Sequence, residues 1–257
     1  MTAAPGSPGA GAPRVTWRKL TLLPGALTVL LSATWLWFTR ADLDAPSRSA
    51  LSDGQVTEAL GQHVELTVIS TFFVLLIAIP LGVLLTRPAL RGASPAVSAF
   101  TRAGRATPAI GLLALPVIWL GAGRRAVLVG MIACAVLPVL SHTVAGLRAG
   151  DPTRLEAAPG TGMPPLGVPA RGEPPLAVPL LLAGARTALV LNVGTATLAA
   201  FGGGGGLGVL ITAGITGRRT PVLVLGAVLT VALALLVAWL ASLAELLLRP
   251  RGPGAGP

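Results

Sequence analysis

The chain has 257 residues, of which 53% are hydrophobic and only 11% are charged, and its mean hydropathy is +0.79. Soluble domains carry about 25% charged residues, so this composition excludes an ordinary cytosolic enzyme, a disordered chain and a disulfide scaffold. The net charge of +10 is spread one to four basic residues at a time between uncharged stretches, as at the flanks of membrane spans, which excludes a nucleic-acid-binding patch.

The uncharged stretches predict an all-α, polytopic helical bundle of about six spans, in contact with the lipid of the plasma membrane. They cover residues 20–39, 66–86, 106–123, 126–147, 187–217 and 220–244. Crossing a bilayer takes about 20 apolar residues, so the 187–217 stretch is too long for one straight helix. We expect it to contain a span that begins near Ala177, a break at the glycine-rich residues 201–208, and a short apolar segment.

The predicted domains follow from these spans. Residues 1–19 and 249–257 are rich in proline, glycine and alanine or in charge, and we expect disordered tails. Residues 20–59 are expected to form a first anchor helix and an outer loop, and residues 60–248 the transmembrane domain. The first span has the length and basic flank of a signal peptide, but no small-x-small cleavage pattern follows it, which favours an uncleaved anchor.

The distribution of basic residues predicts that both termini are cytoplasmic. With the N-terminus inside, 12 basic residues fall in inside segments and 6 in outside segments. Cytoplasmic loops collect Lys and Arg, so this orientation is favoured. The pairs Arg124-Arg125 and Arg218-Arg219 lie on the less favoured side.

Catalytic and metal-binding constellations are not found in the sequence. Lys19 is the single lysine and follows no glycine run, so a phosphate-binding loop of the ATPase type is excluded. His63 and His142 lie at opposite ends of different spans, with His63 expected at an outer edge, and we interpret both as structural. Cys134 is alone, which excludes a disulfide and a cysteine metal site. The sequence thus predicts no enzyme activity, no cofactor and no metal.

Arg186 is the one charge predicted to lie inside a span, nine residues after Ala177. Its long side chain either snorkels to the cytoplasmic headgroups or has a functional role, and the sequence leaves both open. The residues that we predict to line a pathway or to break a helix are Pro80, Pro108, Arg186, Gly202, Gly206 and Gly208.

The longest inside segment contains Glu156-Ala157-Ala158, followed four residues later by Gly162. This pattern resembles the EAA motif of ABC importer permeases. The surrounding sequence is similar to the osmoprotectant branch of that family over about residues 60–248. The similar segments are PLGVLLTR at 80–87, TPAIGLL at 107–113, Asp151-Pro152, PLAVP at 175–179, GTATLAAF at 194–201 and GLG at 206–208.

This resemblance implies a permease that imports glycine betaine, choline, carnitine or a similar quaternary ammonium osmolyte. The implied partners are a cytoplasmic ATP-binding subunit that hydrolyses the ATP, an extracytoplasmic substrate-binding protein, and a second permease copy or a paralogue. The residues implied to dock on the ATPase are Asp151, Leu155, Glu156, Ala157, Ala158 and Gly162. Pro159 departs from the family pattern, and because proline interrupts helices we expect a shortened docking helix.

A stand-alone secondary carrier or channel-like protein is the alternative. Ion-driven carriers usually place acidic residues within their spans to bind the coupling ion. In this chain, Glu65 and Glu245 are expected only at span ends.

Overall fold

The computed structural model describes residues 17–40, 45, 47, 48, 54–87, 109–148 and 174–248, and no strand occurs among them. The predicted all-α fold is confirmed in these residues. The helices are α1 (Trp17–Phe38), α2 (Gln55–Leu85), α3 (Ala109–Leu120), α4 (Arg124–Arg148), α5 (Pro174–Leu198), α6 (Gly208–Thr216) and α7 (Thr220–Leu248), with a 3₁₀ turn at Ala199–Gly202.

Five described helices, α1, α2, α4, α5 and α7, have the length and apolar composition to cross a membrane. The remaining predicted span, 106–123, corresponds to α3, which has 12 residues and is therefore only about 18 Å long. The stretch 106–123 is longer than this helix because Gly121 and Gly123 adopt φ angles of 77° and 147°, which no right-handed helix contains.

Helix α2 begins eleven residues before the predicted start of its span at residue 66. It starts after Gly54, whose φ is 74°, and it includes Glu65, which was expected at a span end. Gln62 Nε2 donates to Glu58 Oε1 at 3.0 Å, and Glu65 pairs with Arg124 of α4. Because these charges have partners, they do not end the helix.

Helices α2, α4 and α5 form the centre of the bundle. Helix α3 packs on α4, and α7 packs on α5, α6 and α1. No residue of the α1 span is buried, so α1 is peripheral. Two apolar clusters lie between the central helices. The buried members of the first are Leu66, Leu113, Val127, Met131, Ala196 and Ala199, and those of the second are Val74, Ala78, Ala135, Val139, Leu140 and Ala188. The third cluster joins α2 to α6 and α7, and its buried members are Ala59, Leu207, Leu210 and Val222.

Contacts between helix ends define two ends of the bundle. Glu65 and Arg124 pair near one end, and Gly82 lies against Thr143 near the other, so α2 and α4 run in parallel. Val222, near the start of α7, belongs to the same apolar cluster as Ala59, near the start of α2, so α7 begins at the same end as α2. We call the end with the starts of these three helices the glycine-loop end, after residues 203–207. The opposite end, where α4 stops and α5 starts, is called the 149–173 end.

Candidate functional site: the glycine loop and the charged pairs

The chain between the 3₁₀ turn and α6, residues 203–207, forms a loop that we call the glycine loop. Gly203, Gly205 and Gly206 have φ angles of 76°, 82° and 85°. This left-handed region is costly for residues with a Cβ, so the glycine run is what permits the turn. Helix α5 and the 3₁₀ turn end before this loop, and α6 begins after it.

Two consecutive residues of α2 hold this loop by its backbone. The N–H of Gly206 donates to Gln62 Oε1 at 3.0 Å, and the N–H of Leu207 donates to His63 Nδ1 at 3.3 Å. In the hydrocarbon region an unsatisfied backbone N–H costs several kcal/mol. Gln62 and His63 therefore satisfy donors that the helix break would leave without partners.

His63 is fully buried and contacts α5 as well as the loop. Its Nε2 lies 3.0 Å from the carbonyl oxygen of Val193. Because Nδ1 accepts the hydrogen bond from Leu207, Nε2 must carry the proton that is donated to Val193. The neutral Nε2–H tautomer thus links α2, α5 and the loop. His63 lies inside α2, eight residues after its start at Gln55.

The start of α4 holds the other side of the loop. The N–H of Gly123 donates to the carbonyl oxygen of Gly202 at 2.8 Å. A Cβ at Gly202 would lie 2.7 Å from Val127 Cγ2, and one at Gly208 would collide with the carbonyl oxygen of Thr197. Gly202, Gly206 and Gly208 are therefore brought together, and each fits because it lacks a side chain or adopts a positive φ.

A buried polar contact joins α2 to α5 farther from the loop. Asn192 Nδ2 donates to Thr71 Oγ1 at 2.9 Å, and Asn192 is fully buried. Its Oδ1 has no hydrogen-bond partner among the described residues. Interhelical bonds of this kind contribute about 0.6 kcal/mol on average in membranes.

Arg186 neither stands alone in its span nor reaches only toward headgroups. Its Nη1 lies 3.9 Å from Glu245 Oε2 of α7, near the 149–173 end. The side chain of Arg186 is 39% exposed and that of Glu245 is 14% exposed. The sequence offered a snorkelling residue or a functional one, and it did not indicate this partner.

The other predicted residues lie apart from the glycine loop or outside the described residues. Pro80 is exposed in the last turns of α2, toward the 149–173 end. Outside the described residues lie Pro108 and the whole predicted docking set, Asp151, Leu155, Glu156, Ala157, Ala158 and Gly162. The sequence analysis did not identify Gln62, Thr71 or Asn192, because their partners come from helices more than 100 residues away.

Acidic and metal-ligating side chains are scattered in the described part of the chain. No group of three His, Cys, Asp or Glu residues there is arranged to hold a metal ion. The three described acids each have a partner: Glu58 accepts from Gln62, Glu65 pairs with Arg124, and Glu245 pairs with Arg186.

Comparison with known proteins gives a family match and curated relatives. Residues 68–251 match the family described as binding-protein-dependent transport system inner membrane component. The chain is 39% identical over 185 residues to the osmoprotectant import permease protein OsmY of Salmonella typhimurium, which covers 70% of this chain and 78% of that protein. It is 33% identical over 199 residues to the choline transport system permease protein OpuBB of Bacillus subtilis, covering 77% and 91%.

The fold is also similar to a solved structure. A chain of the MetNI methionine ABC transporter, in an inward-facing conformation, superposes with a TM-score of 0.70 at 24% identity. The superposition covers 81% of this chain and 100% of that chain. At this identity the likeness concerns the fold alone, and it agrees with the helical bundle described above.

Proposed function

This chain belongs to the family of binding-protein-dependent transport system inner membrane components, and we propose that it is the permease subunit of an ABC importer for small quaternary ammonium osmolytes. The family match covers residues 68–251, which include most of α2 and all of α3 to α7. The protein is accordingly a multi-pass membrane protein and a permease component of an ABC transporter.

We infer the substrate class from the similarity to curated osmoprotectant permeases. The relatives are named for osmoprotectants, choline, glycine betaine and carnitine, at 30–39% identity over 70–77% of this chain. Selection of the substrate is assigned to the extracytoplasmic binding protein, and the permease provides the passage.

The charges of the described helices support an energy source in another subunit. A carrier driven by protons or sodium ions usually needs an acidic side chain in its spans that can bind the coupling ion. In the described helices, Glu65 and Glu245 are each paired with an arginine, and Glu58 accepts a hydrogen bond from Gln62. We therefore place ATP hydrolysis in a cytoplasmic partner and retain no stand-alone carrier.

The position of the 149–173 segment supports its role as the docking element. It follows the end of α4 and precedes the start of α5, two helices at the centre of the bundle. A docking helix that carries Glu156, Ala157 and Ala158 into a groove of the ATPase would move both helices at once. Asp151 and Leu155 would flank this helix, and Gly162 would permit the turn after it, with Pro159 limiting its length.

The glycine loop supports the helix-break part of the proposal. Non-helical backbone at membrane depth is tolerated where it is buried in protein or lines a cavity, and here Gln62, His63 and Gly123 satisfy it. We assign Gly202, Gly206 and Gly208 to this fixed turn. Pro80 and Pro108 are proposed to shape the passage toward the opposite end.

The test is osmolyte uptake by proteoliposomes containing the complex that a tag on this chain co-purifies from native membranes. We expect ATP-dependent uptake of labelled glycine betaine or choline when a binding protein is added. Glu156→Ala and Gly162→Val are expected to reduce this uptake at least tenfold, because loss of docking removes the drive from ATP hydrolysis.

Glu173→Gln is the matched control, since Glu173 is an acid of the same segment outside the motif. It is expected to transport like the unaltered chain. The proposal is contradicted if no ATP-binding subunit co-purifies, or if the Glu156 and Gly162 variants take up osmolyte at the unaltered rate.

A further inference from the structure

The Arg186–Glu245 pair joins α5 to α7. Arg186 lies at the middle of α5, twelve residues after Pro174, and Glu245 lies three residues before the last residue of α7, toward the 149–173 end. The two helices run antiparallel, and the neighbours of both residues along the chain are mostly apolar.

Opposite charges at this depth stabilise one another more than they would in water. An unpaired charge inside a membrane is surrounded by a medium that solvates ions poorly, which costs free energy. Charged residues in spans are therefore usually paired. Glu245 is the more enclosed member, since its side chain is 14% exposed against 39% for Arg186. The pair links α5 to α7 in addition to the packing contacts between the two helices.

The connections of the two helices suggest what this link between α5 and α7 does. Helix α5 continues directly from the 149–173 segment. Helix α7 packs on α6, where a Cβ at Gly214 would lie 2.6 Å from Leu223 Cβ, so α6 and α7 are tightly joined. The glycine loop, in turn, leads into α6. A path of direct contacts therefore runs from the 149–173 segment through α5 and the ion pair to α7 and α6.

We propose that the Arg186–Glu245 pair is a positioning contact that makes α7 move together with α5 when the ATPase acts on the 149–173 segment. This inference rests on the proposed function, because it concerns how the motion of the docking segment spreads through the permease. Neither side chain contacts substrate in this role. Their loss separates ATP hydrolysis from transport, because α5 then moves without carrying α7 with it.

The experiment measures osmolyte transported per ATP hydrolysed, in proteoliposomes that contain the co-purified complex, with labelled glycine betaine as the probe. The single variants are Arg186→Gln and Glu245→Gln, and the double variant Arg186→Glu/Glu245→Arg exchanges the charges. We expect each single variant to lower the ratio about two- to thirtyfold, the range of coupling energies known between distant sites. The exchanged pair is expected to restore at least half of the loss.

A structural role alone would lower the amount of folded complex, and uptake and hydrolysis would fall together with an unchanged ratio. An unchanged ratio in the single variants therefore overturns the inference, as does a lowered ratio that the exchanged pair does not restore. Arg125→Gln is the control, since Arg125 is exposed at the glycine-loop end, and it is expected to keep the ratio.

A second measurement separates this inference from the proposed function. Thermal unfolding of the unaltered chain, Arg186→Gln, Glu245→Gln and the double variant Arg186→Gln/Glu245→Gln gives the coupling between positions 186 and 245 in the absence of transport. No coupling overturns the inference even if the unaltered complex transports osmolyte. Lack of ATP-dependent uptake by the unaltered complex overturns the proposed function, and with it the role of the pair in transport.

Discussion

The glycine-loop end and the 149–173 end of this bundle are held together by different kinds of contact. At the glycine-loop end, backbone groups of Gly206, Leu207 and Val193 bond to side chains of α2, and Gly202 bonds to the backbone of Gly123. At the 149–173 end, α5 is joined to α7 by an ion pair with a separation of 3.9 Å and partial exposure to solvent.

This difference indicates which end is fixed and which can move. Buried backbone hydrogen bonds around a left-handed turn have one geometry, and breaking them leaves unsatisfied groups. An ion pair between long side chains keeps much of its energy when the distance between the helices changes by an ångström or more. We therefore propose that the glycine-loop end is the fixed point and that motion enters at the 149–173 end.

The largest effect is expected from His63→Leu, which removes the side chain between α2, α5 and the loop. It leaves the N–H of Leu207 buried without its partner, at about 1–3 kcal/mol, and it removes one of the hydrogen bonds to the carbonyl oxygen of Val193, which still accepts from Thr197 Oγ1. We expect the unfolding midpoint of the purified protein in detergent to fall by several degrees. His142→Leu, at an exposed position of α4, is the control. Equal midpoints for the two variants would refute the fixed-point role of His63.

A smaller effect is expected from Gly206→Ala. Its φ of 85° is strained for alanine, and the new Cβ would lie 3.3 Å from His63 Nδ1, so we expect a loss of about 1–2 kcal/mol. Gly61→Ala is the matched control, since a Cβ at Gly61 meets nothing within 4 Å in the helix α2. That change is expected to stabilise by about 0.5–1 kcal/mol. Thermal unfolding of both variants checks the opposite signs, and equal signs would contradict the account of the loop.

The smallest effect is expected from Glu65→Gln, which removes the exposed pair with Arg124 at the glycine-loop end. Because the side chains of Glu65 and Arg124 are 51% and 41% exposed, solvent screens their interaction, and we expect no measurable change in the unfolding midpoint. Glu245→Gln, whose side chain is more enclosed, is expected to lower the midpoint. The reverse order would show that the glycine-loop end depends on its ion pair after all.

The sequence predicted the helical bundle because long uncharged stretches have few alternatives in a membrane. A run of five glycines between apolar residues favours no regular structure, and in the structure this run lies between α5 and α6. The start of α2 was placed too late because the spans were taken to begin where charged residues end. A charged residue with a partner can lie within a helix of the bundle, and Glu65 has such a partner in Arg124 of α4. The pairing of Arg186 with Glu245 was not predictable, because it depends on which antiparallel helices become neighbours.

Only part of the site could be predicted from the sequence, again because it depends on contacts between residues that are far apart in the chain. The glycines of the loop were identified from composition, whereas Gln62 and His63, which hold them, lie more than 140 residues earlier in the chain. Side chains that act across such separations carry no local pattern. The docking residues came from resemblance to a family, and they lie outside the described residues, so their role remains a proposal.

The central claim is that a separate ATPase drives this permease through the 149–173 segment. Site-specific cross-linking in native membranes tests it most directly, with Cys134→Ala as the background and a new cysteine at Ala157. Thr216→Cys, exposed at the glycine-loop end, is the control. The account predicts that Ala157→Cys cross-links to the ATP-binding subunit and that Thr216→Cys does not. A cross-link from Thr216→Cys alone, or none from Ala157→Cys in a complex that transports, would contradict it.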